Sequence, residues 1–201
     1  MLAISILFGG YGYYGSFASI IDDCAITNLQ IEDKWLFNCY GIDRFTNLKN
    51  INASYNLIRN IDHITNIQSL VSINFTHNQI TRIPDSFSCL SNLESCYLGV
   101  NKLTEVPEGI IKLPKLNFLR LNSNIIYNIP SSIELMTNLK SFDVSHNYIS
   151  SIPKEILSLS SLRVLDLSLN KISDMSILLE MPNLREINLN SNKIFTLLED
   201  F

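Results

Sequence analysis

At 201 residues and 22.9 kDa, with 46% hydrophobic content, the chain is long enough to bury a core and too apolar for a disordered tail. Its 15 Lys and Arg against 19 Asp and Glu leave a formal net charge of -4, which argues against nucleic acid or an anionic membrane as partner, because both need clustered positive charge. The 28 Ile and 23 Asn stand beside only 7 Gly and 6 Pro, so the placement of the Asn is the first question.

The N-terminal MLAISILFGG is a short apolar run with no basic residue ahead of it. Nothing later approaches the roughly 18 consecutive apolar residues of a spanning helix, so neither a signal peptide nor membrane insertion is expected. Residues 1–25, with GGYGYYGS, read as an N-terminal cap or irregular segment, since Gly-Tyr runs carry little helix or strand signal. A decayed repeat on Ile4, Leu7, Gly9 and Gly12 is the alternative.

From Ile26 the chain becomes periodic. Asn56, Asn78, Asn101, Asn124, Asn147, Asn170 and Asn192 are separated by 22, 23, 23, 23, 23 and 22 residues, each in one frame, as in LRVLDLSLNKI from Leu162 and LREINLNSNKI from Leu184. Such spacing is an internal repeat, and it governs every later reading. Alternating apolar residues such as Leu165 and Leu167 predict a short strand showing one face to a core, with Asp166 and Ser168 facing out. The Asn then turns inward, where its amide can satisfy backbone groups opened by the bend, and stacked copies make a ladder of amides. Four copies continue with Ile83-Pro84, Val106-Pro107, Ile129-Pro130 or Ile152-Pro153 and then apolar residues three and four apart. That pattern predicts one turn of helix or 3₁₀-helix after the Pro. An eighth copy starts at Ile26, with Lys34 at the place of the Asn.

The frame LxxLxLxxNxL closely resembles the leucine-rich repeat family, from Ile26 to Leu198. The resemblance implies an α/β fold: a curved leucine-rich repeat solenoid with a parallel concave sheet and short helical or 3₁₀ turns on the convex side. Eight repeats are expected in residues 26–201, starting near 26, 48, 70, 93, 116, 139, 162 and 184. The 23-residue copies resemble the intracellular type related to Ras-interacting proteins. The 22-residue copies, with Ile61, Ile64 and Ile67 or Met175, Leu178 and Met181, resemble the type found in phosphatase regulatory subunits. Leu197, Leu198 and Phe201 are expected to fold over the last repeat as a short cap; the rival reading is a chain that lacks a downstream domain.

Candidate binding residues follow from the outward places of the frame. Tyr97, Arg120, Asp143 and Asp166 fall in one column, with Phe118 in the next and Tyr148 just beyond its strand. Aromatics beside an Arg on a rigid sheet suit a protein-binding hot spot. The plainer alternative is ordinary surface, with Arg120 paired to Asp143. Trp35, the single Trp, is expected to pack against the N-terminal cap.

No catalytic residue, metal site or cofactor is expected. His77 and His146 hold equivalent places three repeats apart, about 14 Å at the strand spacing, too far for one metal. Asp143 and Asp166 lie on an open sheet with no pocket to raise a pKa. Cys24, Cys39, Cys89 and Cys96 form no CxxC and no framework of close spacings, and free thiols fit a reducing compartment. The sequons at Asn52 and Asn74 would set glycans on the concave face. The expectation is therefore a cytoplasmic, monomeric scaffold of signal transduction that binds another, folded protein through its concave face. The alternative is the regulatory segment of a phosphatase or cyclase whose catalytic domain lies elsewhere; a secreted recognition domain comes third.

Overall fold

Each copy of the frame contributes one three-residue strand, because the repeat allows a single alternation before the Asn bend. The computed structural model describes residues 4–5 and 25–195. The strands of the eight repeats are β2 (Asn28–Gln30), β3 (Asn50–Asn52), β4 (Ser72–Asn74), β5 (Ser95–Tyr97), β6 (Phe118–Arg120), β7 (Ser141–Asp143), β8 (Val164–Asp166) and β9 (Glu186–Asn188). A further strand, β1 (Ile4–Ser5), precedes them. All nine pair in sequential order and in parallel, making the concave face of a curved solenoid.

β1 sets Ile4 opposite Leu29 and Ser5 opposite Gln30. Ile4 therefore occupies the mid-strand place of the frame, whereas the decayed copy read from the sequence aligns it with Ile26, three residues earlier. Leu7, Gly9, Gly12 and Cys24, the rest of the expected cap, and the closing Leu197, Leu198 and Phe201 lie outside the described residues.

The strands contribute two of the core's stacks of side chains, one from each inward place. Leu29, Ile51, Ile73, Cys96, Leu119, Phe142 and Leu165 make the first, and Ile31, Ala53, Phe75, Leu98, Leu121, Val144 and Leu167 the second; all are buried. At the last strand Ile187 is 42% exposed.

The convex side is built from short turns. The segments Asp85–Cys89, Ser131–Leu135 and Lys154–Ser158 are 3₁₀ turns, and α1 (Glu108–Ile111) is one α-helical turn. Pro84, Pro107, Pro130 and Pro153 precede them with φ between -70° and -75°, values the pyrrolidine ring already imposes. Their carbonyls accept the N–H groups of Phe87, Ile110, Ile133 and Ile156, and those four side chains are buried. In α1, a Cβ on Gly109 would lie 2.5 Å from the Pro84 carbonyl oxygen, so only glycine lets these turns pack so closely. Ile61 and Met175 open the corresponding 3₁₀ turns Asp62–Asn66 and Ser176–Glu180 without Pro. Among the described residues no helix is long and apolar enough to cross a membrane.

Candidate protein-binding surface

The inward Asn side chains define which residues are left for recognition. The Asn124 Nδ2 donates to the carbonyls of Leu98 (3.0 Å), Leu121 (3.0 Å) and Asn122 (3.3 Å), and its Oδ1 accepts the Leu103 N–H at 2.9 Å. Asn78, Asn101, Asn147 and Asn170 repeat this pattern between their own neighbours. At the ends, the Asn56 Oδ1 accepts the N–H groups of Lys34 and Leu36, and Asn192 bridges Leu167 and Leu189 to Ile172. Lys34 thus serves the ladder with its backbone, which a Lys can do as well as an Asn. Among the described residues no buried side-chain nitrogen or oxygen lacks a partner.

The residue before each ladder Asn is left-handed: Tyr55, His77, Val100, Ser123, His146, Leu169 and Ser191 all have φ between 53° and 58°. This conformation aims the following amide inward. It falls on seven positions with no common side chain and no glycine, so residue type could not have marked it.

On the concave face the strand register sets Tyr97 opposite Arg120, Arg120 opposite Asp143, Asp143 opposite Asp166, and Asp166 opposite Asn188. The Arg120 guanidinium carbon lies 5.5 Å from the centre of the Tyr97 ring, and among the described residues Arg120 makes no ion pair with Asp143. Both carboxylates are otherwise engaged. The Asp143 Oδ1 accepts the Ser145 N–H (3.1 Å) and hydroxyl (2.7 Å), and the Asp166 Oδ1 accepts the same groups of Ser168 at 2.9 and 2.6 Å. These are Asx turns that lead the chain out of the strand, with Asn52 and Asn74 playing the same part for Ser54 and Thr76. Phe118, in the adjacent column, is 42% exposed beside Ser95 and Ser141.

Tyr148 does not join this row. It lies beyond the ladder, stacked on Tyr127 with ring centres 5.5 Å apart, and the Lys171 ammonium sits 4.6 Å over its ring. The expected packing of Trp35 is corrected as well: Trp35 is 72% exposed. Its backbone stands at φ 57°. With Asp33, Tyr55, Leu57 and His77 it lines an open cleft of about 250 Å³, in which the Tyr55 and His77 rings stack at 4.4 Å. These residues are not grouped in the sequence analysis. The link was legible only as residues 22 apart that share a strand-edge place.

Among the described residues no group of three or more His, Cys, Asp or Glu side chains could hold a metal ion. The His146 Nδ1 lies 3.2 Å from the Ser123 hydroxyl, and His63 packs its ring on Tyr40. Cys39, Cys89 and Cys96 are free. Burial pushes the Cys39 thiol up to about 12 and raises that of Cys96 further.

Comparison with known proteins agrees with this architecture. The model of the leucine-rich repeat region matches residues 25–177, and a model of two leucine-rich repeat copies matches 160–201. The chain belongs to the leucine-rich repeat family. No curated protein is similar enough in sequence to count as a match. Among solved structures, the functional domain of InlJ from Listeria monocytogenes superposes with a TM-score of 0.74 at 24% identity, over 86% of this chain and 36% of that one. Internalin C2 of the same organism gives 0.68 at 25% identity, over 81% and 80%. A leucine-rich repeat protein of Leptospira interrogans gives 0.67 at 22%, over 87% and 57%, so this chain spans little more than half of that structure.

This company, which includes a plant peptide hormone receptor, is not a cytoplasmic one, and it overturns the cytoplasmic expectation. The physical reason is that the repeat frame records how the core packs. That packing is the same on either side of a membrane, and unpaired cysteines do not report the compartment when the repeats hold together without disulfides.

Proposed function

We propose that this chain is a non-catalytic scaffold that binds, as a monomer, a folded protein partner on its concave face, with Tyr97, Phe118 and Arg120 as anchors. The observation that carries the reading is the Arg120 guanidinium lying over the Tyr97 ring at 5.5 Å, on strands held by neighbours on both sides. An Arg held in this way keeps its donors available to a partner and loses little side-chain entropy on binding. Asp143 and Asp166 supply acidic character one and two strands away, while their Oδ1 atoms stay in the Asx turns. Tyr148 contributes from the rim, on the loop side of the ladder. The Pro-led and Ile- or Met-led convex turns support two repeat classes, a difference of spacing on the face away from the partner.

The test is to place a photo-crosslinking residue at Phe118, or at Lys154 on the convex turn, identify the captured protein, and titrate it calorimetrically against variants. Arg120→Glu, and Tyr97→Ala combined with Phe118→Ala, are expected to weaken binding by about 30-fold or more, the loss of an anchor worth about 2 kcal/mol. Their unfolding midpoints should stay close to the parent. Capture from Lys154 alone, with affinity unchanged by the concave variants, would move the partner to the convex side and end this reading.

A further inference from the structure

In two later repeats a cation of the next repeat covers a Tyr: Arg120 lies over Tyr97 at 5.5 Å and Lys171 over Tyr148 at 4.6 Å, while the exposed Tyr127 stacks on Tyr148 instead. In both cases the cation stands 23 residues on, directly across from the ring in the stack. Trp35 holds the same place in its repeat as Tyr148, the residue after the ladder position. Its next-repeat counterpart, 22 residues on, is Leu57. Tyr55 is followed in the same way by His77, whose ring stacks on it at 4.4 Å with 13° between the planes. Trp35 and Tyr55 are 72% and 59% exposed, and among the described residues no Lys or Arg lies over either ring. The cleft they line with Leu57 and His77 also contains the exposed carboxylate of Asp33, and its volume is about 250 Å³.

We propose that this cleft takes a cationic side chain of a protein partner, an Arg guanidinium or a Lys ammonium in plain or methylated form. The aromatic faces and the nearby carboxylate supply together what a cation needs when it leaves water: quadrupole attraction from the rings and a counter-charge. A neutral apolar group would gain the rings but leave the carboxylate beside it without a counter-charge. The partner's cation would do for Trp35 and Tyr55 what Lys171 does for Tyr148 within the chain. The site lies among the first repeats, apart from the row of Tyr97 and Arg120, and its test does not depend on that row.

Trp35 is the single Trp of the chain, so its fluorescence reports on the cleft directly. The full chain is titrated at low salt with N-acetyl amides of arginine, lysine and trimethyllysine, and with the neutral isosteres citrulline and norleucine. The cationic amides are expected to give a saturable change in Trp emission and the neutral ones a response at least about fivefold weaker, the range a partly desolvated cation–aromatic contact covers. Asp33→Asn and Tyr55→Asn keep residues that tolerate the left-handed backbone at these places. Each should weaken the cationic titration about threefold to tenfold, with the unfolding midpoint retained. Arg120→Glu should leave it unchanged, whichever way the concave-face test falls. An equal response to norleucine and lysine amides, or no saturable change with any cation while the midpoints show folded protein, would overturn the proposal. So would an unaltered titration in both cleft variants.

Discussion

Asn122 and Asn124 are the same residue two positions apart on one repeat, yet they belong to different regions of the molecule. Asn124 is 6% exposed and spends its amide on four backbone partners. Asn122 is half-buried on the concave side, and its side chain leans over Gly99, where a Cβ would lie within 2.4 Å of its Oδ1. One region, the inner strand face with its ladder, is dictated by backbone groups that must be satisfied. The other, the concave face, meets that demand only where an Asp or Asn caps its Asx turn, and its remaining positions are where recognition can be written. What the contrast teaches is that the period of a repeat protein identifies its skeleton, while its specificity lies in the positions the period leaves open.

The largest expected effect contrasts thiols on the two sides of that boundary. Cys96 fills a core place on β5 at 0% exposure, Cys39 is also buried, and Cys89 lies exposed on a convex turn. In a protein with Cys24→Ser, a disulfide reagent should label Cys89 promptly and reach Cys39 and Cys96 only through opening of the stack. An opening free energy of about 4 kcal/mol slows labelling about a thousandfold. The gap should persist at pH 9, because burial raises both inner thiols and keeps them protonated there. Comparable labelling rates for all three would dissolve the distinction between core and surface.

Next in size is the pair itself. Asn124→Ala leaves the Leu103 N–H and the carbonyls of Leu98 and Leu121 without their amide partner, and a buried group left unmade costs about 1 to 3 kcal/mol. A loss of about 3 kcal/mol is expected, against about 0.5 kcal/mol or less for Asn122→Ala. Chemical denaturation of the two variants checks it, and equal midpoints would show that the ladder does not carry the load assigned to it.

Much of the skeleton was legible because it is written in residue types that packing forces to recur. The 22 to 23 residue lattice of seven Asn located strands β3 to β9, the same frame run backwards located β2, and Ile-Pro or Val-Pro located four convex turns. What escaped was conformation without a residue signature. β1 was misaligned by three residues because Ile4 has no ladder Asn to anchor its frame. Trp35 is expected against the N-terminal cap, but it stands at the place after the ladder position, which is not buried in the other repeats either, and it is 72% exposed. The plainer alternative, Arg120 paired with Asp143, rests on charge, whereas the guanidinium lies over the Tyr97 ring and Asp143 is held in its Asx turn. Tyr148 was grouped with the concave row by closeness in the frame. The ladder bend, which turns the chain between strand and loop, separates them.

The smallest effect has the opposite sign and bears on how the skeleton is enforced. Val100 is β-branched and stands at φ 54°, a conformation that costs an L-residue about 1 to 2 kcal/mol and that β-branched side chains tolerate least. It persists because the backbone around it is determined from both sides: the Val100 N–H donates to Asn122 at 2.8 Å, and its carbonyl accepts the Asn78 N–H at 3.1 Å. Neither bond involves the side chain, which is only half-buried, so relieving the strain should not disturb the ladder. Val100→Asn, a residue that visits this region readily, is expected to stabilise by about 1 kcal/mol. Val100→Gly should gain less, since the added freedom of the unfolded chain takes back about 0.5 to 1 kcal/mol. Val100→Ile, still β-branched, should change little. Denaturation midpoints at constant slope read all three. If Val100→Asn lowers the midpoint, the packing of the valine outweighs its strain, and position 100 moves from the region ruled by backbone demand to the one ruled by side-chain contact.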